Sequence, residues 1–467
     1  MAKTNSKQNY LTKMGRHKSL SLFLTCLPPL LLICFVVKYA VNLPFADEWY
    51  FVPLFEKMFN HSLSFRDLWV QHNEHRFLIT RLVTLANVKL TGWNLKYEIY
   101  LNISLGVATF ASILAFLYRK AIGTSKFSVF WIFPSLSLIF FSLNQSWNWL
   151  WGIQVNIFLN VLFVLIGIIK LSSALIWQSV FTAGLMGIFA TYSNATGLLY
   201  WPIALVVIYF NPASPKKLRI KIFAAWIITA ILVYVSYFFD YRQPDYVYQL
   251  TKEQSEISFI QNFLAILGSP LEIFSKKVAS FLGILGISIY IYSINLIAKK
   301  ILKLNSLTLT LVGLSLYAIS YALIVGTGRL KFNLTQVQLT FRYGYTIELF
   351  WIAIIIFSFA YANQALTENH TISLSFNRFT ITFIIIALIS MLAIKSSIQA
   401  LPLAIERQNL LSNTQKRLLS SPDMSEKLTT LAEVYPRQNI GSLNNIVNLK
   451  DLANALDTLS RHNLSTF

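Results

Sequence analysis

Charge is scarce in this chain. Asp, Glu, Lys and Arg make up 12% of its 467 residues, about half the share of an ordinary soluble domain. Hydrophobic residues make up 55%, and the mean hydropathy is +0.56. A soluble globular protein is therefore excluded, and the deficit is explained if most of the chain faces lipid. Acid is scarcer than base, with 19 Asp and Glu against 39 Lys and Arg and a formal net charge of +20. In a soluble protein such an excess would suggest nucleic acid. Here no nucleic-acid module is present, and the basic residues sit in short connectors at the ends of apolar runs, where they fix topology. Cysteine is limited to Cys26 and Cys34, both inside the first apolar run, which leaves neither a disulfide framework nor a zinc site. There is no P-loop, no dinucleotide fingerprint and no Gly-x-Ser-x-Gly, so cytoplasmic nucleotide chemistry is not expected. No internal repeat or low-complexity tract is visible.

What is there is a succession of apolar runs of bilayer length, about 20 residues each. They fall near 20–42, 97–118, 127–143, 153–170, 173–192, 196–210, 222–239, 277–298, 307–326, 344–362 and 378–394. They do not alternate, so their backbone must be satisfied inside helices rather than in a barrel. The expected fold is all-α, a polytopic transmembrane helix bundle of about eleven helices. The bundle occupies 20–394, preceded by a basic tail (1–19). After it comes a polar tail (395–467) whose moderate helical periodicity suggests a small helical cap. No small-residue cleavage site follows the run at 20–43, which reads as a retained signal anchor.

Basic residues give the orientation. The N-terminal tail, Arg119/Lys120/Lys126, Lys170, Lys216/Lys217/Arg219/Lys221 and Lys299/Lys300/Lys303 fall on one side if the runs alternate. That side is expected to be cytoplasmic, and an odd number of spans puts the C-terminus outside. The acidic residues agree, since all but Glu368 land outside or near an outer boundary. The expected location is the plasma (inner) membrane. Four outer segments stand out: 44–96, too long for a plain connector; 144–154, dense in tryptophan; 240–277, with Asp245, Glu253 and Glu256; and 327–345, with Arg329, Lys331 and Arg342. Within the third, 257–274 reads as an amphipathic stretch lying along the interface.

Candidate chemistry clusters in these outer segments. Asp47 and Glu48 follow the first run. One carboxylate could be a general base for an acceptor hydroxyl, and its neighbour could bind a metal or orient substrate. The bland alternative is a pair of solvated loop acids. His72-Asn73-Glu74-His75-Arg76 follows in the same segment. On a helix, His72, His75 and Arg76 would share one face. Glu48, His72 and His75 are competent ligands for a divalent metal. A polar role is the other reading, with the histidines and Glu74 on substrate oxygens and Arg76 on a phosphate. A charged helix on the headgroups would explain the same letters. In Gln145-Ser146-Trp147-Asn148-Trp149-Leu150-Trp151-Gly152-Ile153-Gln154, indole faces suit sugar rings and amides suit hydroxyls. Tryptophan also marks membrane interfaces, but Asn148 and Gln154 still need partners, as does Asn194 in Tyr192-Ser193-Asn194. Arg342-Tyr343 precedes a run holding Glu348. Arg342 could hold a lipid phosphate, snorkel to ordinary headgroups, or pair with Glu348, which needs a partner at that depth.

Taken together, Ala46-Asp47-Glu48-Trp49, His72-Asn73-Glu74-His75-Arg76, Trp151-Gly152-Ile153-Gln154, Arg342-Tyr343 and the closing Asn463-Leu464-Ser465-Thr466-Phe467 resemble a group of uncharacterised bacterial multi-pass proteins akin to the GT-C superfamily of membrane glycosyltransferases. Asp47-Glu48 resembles the acidic pair of the protein O-mannosyltransferase branch, although the large extracytoplasmic domain of that branch is missing. The resemblance implies an enzyme that transfers a sugar from a polyprenyl-phosphate donor to an acceptor hydroxyl on a glycan or lipid. Membrane lipids would surround it, and Asp47 would serve as base. Two other functions stay open: a transporter or flippase of a lipid-linked saccharide, which would place polar sites at the midplane, and an O-antigen polymerase or ligase.

Overall fold

The computed structural model describes residues 2–121, 129–244, 256–329, 335–367, 372–421, 423–437 and 449–466. All regular structure among them is helical, apart from one isolated backbone bridge between His72 and His75. The helices are α1 (Ala2–Tyr39), α2 (Val52–Phe59), α3 (Phe65–Trp69), α4 (Leu78–Thr91), α5 (Leu95–Ala121), α6 (Phe133–Phe140), α7 (Ser146–Trp149), α8 (Val155–Ser172) and α9 (Trp177–Ser193). They continue with α10 (Tyr200–Phe210), α11 (Lys216–Phe238), α12 (Glu256–Gly268), α13 (Lys276–Ala298), α14 (Ser306–Gly328), α15 (Gln336–Thr367), α16 (Ile372–Ser420), α17 (Met424–Arg437) and α18 (Leu449–Arg461).

Nine helical segments among the described residues are long and apolar enough to cross a membrane. The protein is thus a multi-pass, all-α bundle. The expected spans at 173–192 and 196–210 form as the shorter helices α9 and α10, joined by a 3-10 turn at Ala195–Leu199. At 17 residues α9 is about 26 Å long, just under the thickness of a bilayer core. The axis of the bundle is α15, whose apolar window is 83% buried, whereas α1, α11 and α16 are each 22% buried and form the rim.

Three expectations about local structure change. The stretch at 257–274 does not lie along a surface. Its helix α12 crosses α13 so closely that a Cβ on Gly283 would stand 2.1 Å from the Leu264 carbonyl oxygen, and one on Gly268 1.9 Å from that of Ala279. Ala265, Ile266 and Leu267 are buried accordingly. The close approach that glycine permits gains more apolar burial than an interfacial position would give. Asp245 and Glu253 of that segment, and Lys331 of the next, lie outside the described residues. The last span does not stop at 394: α16 runs unbroken for 49 residues and carries the chain out of the bundle. The third change, at 72–76, belongs to the site below.

The two ends of the bundle differ. At one, the connectors after α8 and α10 and before α14 meet: Asn211 Nδ2 donates to the Leu171 and Ser173 carbonyls, the Leu175 N–H donates to Ser214 Oγ at 2.9 Å, and Ser173 and Ser306 hydroxyls lie 3.5 Å apart. Lys170, Lys216, Lys217 and Lys303 flank these three connectors. At the other end a second apolar core forms outside the main one. It joins Phe45, Trp49, Phe55 and Trp93 of the first long segment to Leu418, Leu456, Leu459 and Leu464 of the C-terminal tail. The Ser465 N–H closes it on the Gly92 carbonyl at 2.7 Å, where Gly92 takes φ +65° to end α4. The tail is therefore a helical cap that clamps the loop carrying Asp47.

Candidate functional site

Asp47 and Glu48 occupy a six-residue 3-10 turn (Ala46–Phe51) entered through Ala46 at φ +46°. An L-residue held in the left-handed region stores about 1 kcal/mol or more, and burial of Phe45, Ala46 and Trp49 on the cap core enforces it. The turn sends the two carboxylates different ways. Glu48 points inward and is 2% exposed. Its Oε2 accepts the Phe45 N–H at 2.7 Å and its Oε1 the Ile153 N–H at 3.0 Å, so it ties the first loop to the tryptophan segment. Burial, and next the neighbouring Glu98, push its carboxyl well above the ordinary range, against those two donors and Arg407. Asp47 points the other way. Its side chain is 17% exposed, and its Oδ2 lies 3.6 Å from Arg342 Nη2.

The His-Asn-Glu-His string is not helical. His72 and His75 exchange both backbone hydrogen bonds at 2.8 Å, with Asn73 at φ +51° in a two-residue turn. Asn tolerates that backbone, and the turn places His72 and His75 side by side. His72 is buried against Tyr50 and Phe77, with ring centroids 4.8 and 5.4 Å away. His75 lies over Phe77 at 4.7 Å. Desolvation depresses both imidazoles, His75 to about 4 despite Glu74 beside it, so both are neutral near pH 7. The Ala195 N–H donates to His75 Nδ1 at 3.1 Å. That bond leaves the ring proton on Nε2, which lies 3.6 Å from Glu74 Oε1.

Arg76 leaves the turn in the opposite direction. It is 2% exposed and gives Nε to the Tyr237 carbonyl (2.5 Å), Nη1 to that of Trp69 (2.9 Å) and Nη2 to that of Phe239. Its guanidinium also faces the Trp69 ring at 5.4 Å. All three nitrogens are engaged with the end of α11 and with α3, an arrangement that holds the loop down.

Trp151, Asn148, Gln154 and Asn194 lie beneath the site and are 5% exposed or less. Trp151 Nε1 donates to the Phe45 carbonyl at 3.2 Å, and the indole carries Arg342 at 5.5 Å from its centroid. Its face is thus occupied by an arginine and unavailable to a sugar ring. Asn148 Nδ2 reaches Gln145 Oε1 at 3.3 Å. Asn194 Nδ2 donates to Asn156 Oδ1 at 2.6 Å, while its own Oδ1 caps the turn at Ala195–Leu199. Gln154 packs within the same buried layer.

Arg342 and Tyr343 lie in the second turn of α15, and Arg342 stands beside Asp47. The Arg342 guanidinium is 5.8 Å from the Tyr343 ring centroid, and Arg329 stands at 5.9 Å from that ring. Arg329 donates Nε to the Tyr343 hydroxyl (2.8 Å) and Nη2 to Glu74 Oε1 (2.7 Å). A continuous polar face results: Asp47, Arg342, Tyr343, Arg329, Glu74, His75. Asp47, Glu74, His75, Arg329 and Arg342 have side chains 17–30% exposed, and they come from four separate stretches of chain. Arg329 was not singled out in the sequence as a site residue. The available signal was its charge, since a cation on the side where acids collect runs against the topology rule.

Glu48, His72 and His75 do not assemble into a metal site. Both Glu48 oxygens already accept N–H donors, His75 Nδ1 is taken by Ala195, and no group of three or more His, Cys, Asp or Glu among the described residues could hold a metal ion. A groove of about 600 Å³ along Pro402, Ile405, Glu406 and Asn409 of α16 shares no residue with the polar face. A groove lined by one helix lacks the converging polar groups that orient a ligand, so the polar face is the stronger candidate. No protein-family model, no curated protein and no solved structure matches the chain.

Proposed function

We propose that the protein is an enzyme of the outer membrane face that transfers a sugar from a polyprenyl-phosphate donor to an acceptor hydroxyl. The observation that carries this reading is the Asp47–Arg342 pair. A partly open carboxylate has at 3.6 Å one cation, Arg342, which lies over the Trp151 ring, and a second cation, Arg329, stands nearby, already oriented by Glu74 and Tyr343. Base and cations side by side suit a reaction that takes a proton at one atom and releases an anion at another.

In that reaction the acceptor oxygen attacks the anomeric carbon and passes its proton to Asp47. The bond from the anomeric carbon to the phosphate oxygen breaks, and polyprenyl phosphate leaves with the electron pair. The transition state is oxocarbenium-like at the sugar and anionic at the phosphate. Arg342 and Arg329 would stabilise that growing charge more than the ground state, the condition for rate acceleration. His75, neutral and presenting Nε2–H, supplies a hydrogen-bond donor that does not compete with Asp47 for the proton. The resemblance to GT-C enzymes and the positive-inside pattern of the basic connectors both support a reading in which the polar face works on the non-cytoplasmic side. A bacterial cell-envelope glycan or lipid is the acceptor class proposed.

The test uses purified full-length protein in lipid nanodiscs with polyprenyl-phosphate monosaccharides and envelope acceptors. Release of polyprenyl phosphate together with a new glycosidic bond is the expected result. Consumption of oligosaccharide-lipid alone would point to a polymerase or ligase. Movement of lipid-linked sugar across sealed vesicles without any new bond would make the protein a flippase.

A further inference from the structure

Six residues further along α15 from Arg342, about 9 Å deeper into the bundle, lies a cluster outside the polar face. Glu348 is fully buried, with Oε2 accepting from Gln145 Nε2 at 2.6 Å and Oε1 without a partner. Arg342, the cation nearest in sequence, is turned to Asp47 instead. Among the described residues no Lys, Arg or His pairs with Glu348. Gln145 bonds to it, Asn148 bonds in turn to Gln145, Asn102 reaches the Asn148 carbonyl, and Tyr345 lies one turn back along α15; all four are 0% exposed.

The hydrogen bonds in this cluster are lopsided. Gln145 Nε2 donates to Glu348 and to the Phe140 carbonyl, Asn148 Nδ2 to Gln145 Oε1, and Asn102 Nδ2 to the Trp151 carbonyl at 2.8 Å and to the Asn148 carbonyl at 3.4 Å. Every amide nitrogen is used. Glu348 Oε1, Asn148 Oδ1 and Asn102 Oδ1 nevertheless accept nothing, and the Tyr345 hydroxyl has no hydrogen-bond partner either. Buried polar atoms are satisfied in the great majority of cases. An ionised carboxylate in a bundle interior is expensive unless a positive charge meets it.

We propose that this cluster binds one alkali cation, sodium or potassium, through the Glu348 carboxylate and the Asn148 and Asn102 carbonyl oxygens. Oxygen-only ligands select a hard cation. The single carboxylate sets its charge at one, because a divalent ion would leave an unmatched charge in low dielectric. The cation would brace Gln145 and Asn148 under the tryptophan segment, and so under Trp151 and Arg342. This site is separate from the proposed transfer chemistry and stands if that chemistry is wrong.

The experiment measures the unfolding temperature of the nanodisc-embedded protein as choline chloride is replaced by sodium or potassium chloride at constant ionic strength and pH, with bound radioactive sodium counted in parallel. The expected result is a saturable rise in unfolding temperature and one ion per chain. Glu348→Gln, close in shape and neutral, should lose both signals while unfolding in choline at or above the wild-type temperature. Identical unfolding in choline and in both salts would overturn the proposal and leave Glu348 as a buried neutral acid. Retention of the ion effect in Glu348→Gln would also overturn it, by placing the cation elsewhere. Should that variant not fold, Asn102→Ala must move the wild-type titration midpoint at least threefold higher in salt, and an unchanged midpoint counts against the site.

Discussion

Arg76 offers a sharp test, because its sequence suggests a phosphate ligand and its surroundings make it a strut. Three backbone carbonyls, those of Tyr237, Trp69 and Phe239, share one buried guanidinium. In Arg76→Lys the positive charge stays but the planar fork is lost, and a single ammonium can reach one of these well-separated oxygens. Two carbonyls then lose their donor, and because those of Trp69 and Phe239 are only part-buried the cost lies at the low end, about 1 kcal/mol each, or about 2 kcal/mol together. At 1.4 kcal/mol per tenfold, that is roughly thirtyfold in the equilibrium for local opening. The loss should be local, because the partners all lie where α3, the turn at His72–His75 and the end of α11 meet. Hydrogen–deuterium exchange followed by mass spectrometry reads it directly: peptides covering 69–81 and 237–241 should lose protection, while those from α15 keep theirs. If Arg76→Lys left protection intact and changed only the KM for an anionic substrate, the strut assignment would be refuted and Arg76 would return to the substrate.

Two further outcomes follow from the same geometry. His75 is depressed from its ordinary value near 6.5 to about 4 by burial. Between those values the unfolded chain carries a proton that the folded one refuses, so its contribution is present above pH 6.5 and lost as pH falls through about 4. It amounts to about 3 kcal/mol. Exchange at the His72–His75 turn, corrected for intrinsic rates, should therefore quicken between pH 7 and pH 4.5 in the wild type and show a weaker trend in His75→Gln, where buried His72 alone still refuses a proton. For Gly152→Ala, the added methyl would stand 2.9 Å from Glu48 Oε1 and 3.2 Å from Glu98 Cβ. Glu48 is pinned by two N–H donors, so the overpacking should cost about 1–3 kcal/mol, seen as a lower unfolding temperature. A tolerated alanine would show that the Glu48 strut is loose.

Apolar run length and absent charge made the bundle legible, since both follow from the solvent the helices face. The short pair α9 and α10 was visible as two apolar runs, but its reduced length was not, because the 3-10 turn at Ala195–Leu199 depends on an Asn194 cap and a tertiary contact with Asn156. The segment at 257–274 has an amphipathic pattern that suits an interface or a helix–helix crossing equally. Only the near-contact of Gly268 and Gly283 with facing backbone decides between them. Within the site, residue types were legible but directions were not. Asp47 and Glu48 are neighbours in sequence and point to different environments because consecutive side chains of a 3-10 turn diverge by about 120°, and the left-handed Ala46 sets where that turn begins. Helical spacing suggested that His72, His75 and Arg76 share a face, yet the turn at Asn73 separates Arg76 from the histidines and gives it to α11. Trp151 was read as a platform for a sugar and serves as a platform for Arg342.

The proposal stands or falls on Asp47 as the proton acceptor. The most direct measurement is the turnover of Asp47→Asn in nanodiscs with a polyprenyl-phosphate sugar that the wild type consumes. A positioned general base contributes about 10²- to 10⁴-fold. The account therefore predicts a loss of kcat of that size, a KM within a few-fold of wild type, and an unfolding temperature close to that of the wild type, because the one ion pair of Asp47 among the described residues is the partly exposed contact to Arg342. Turnover within a few-fold of wild type would contradict it.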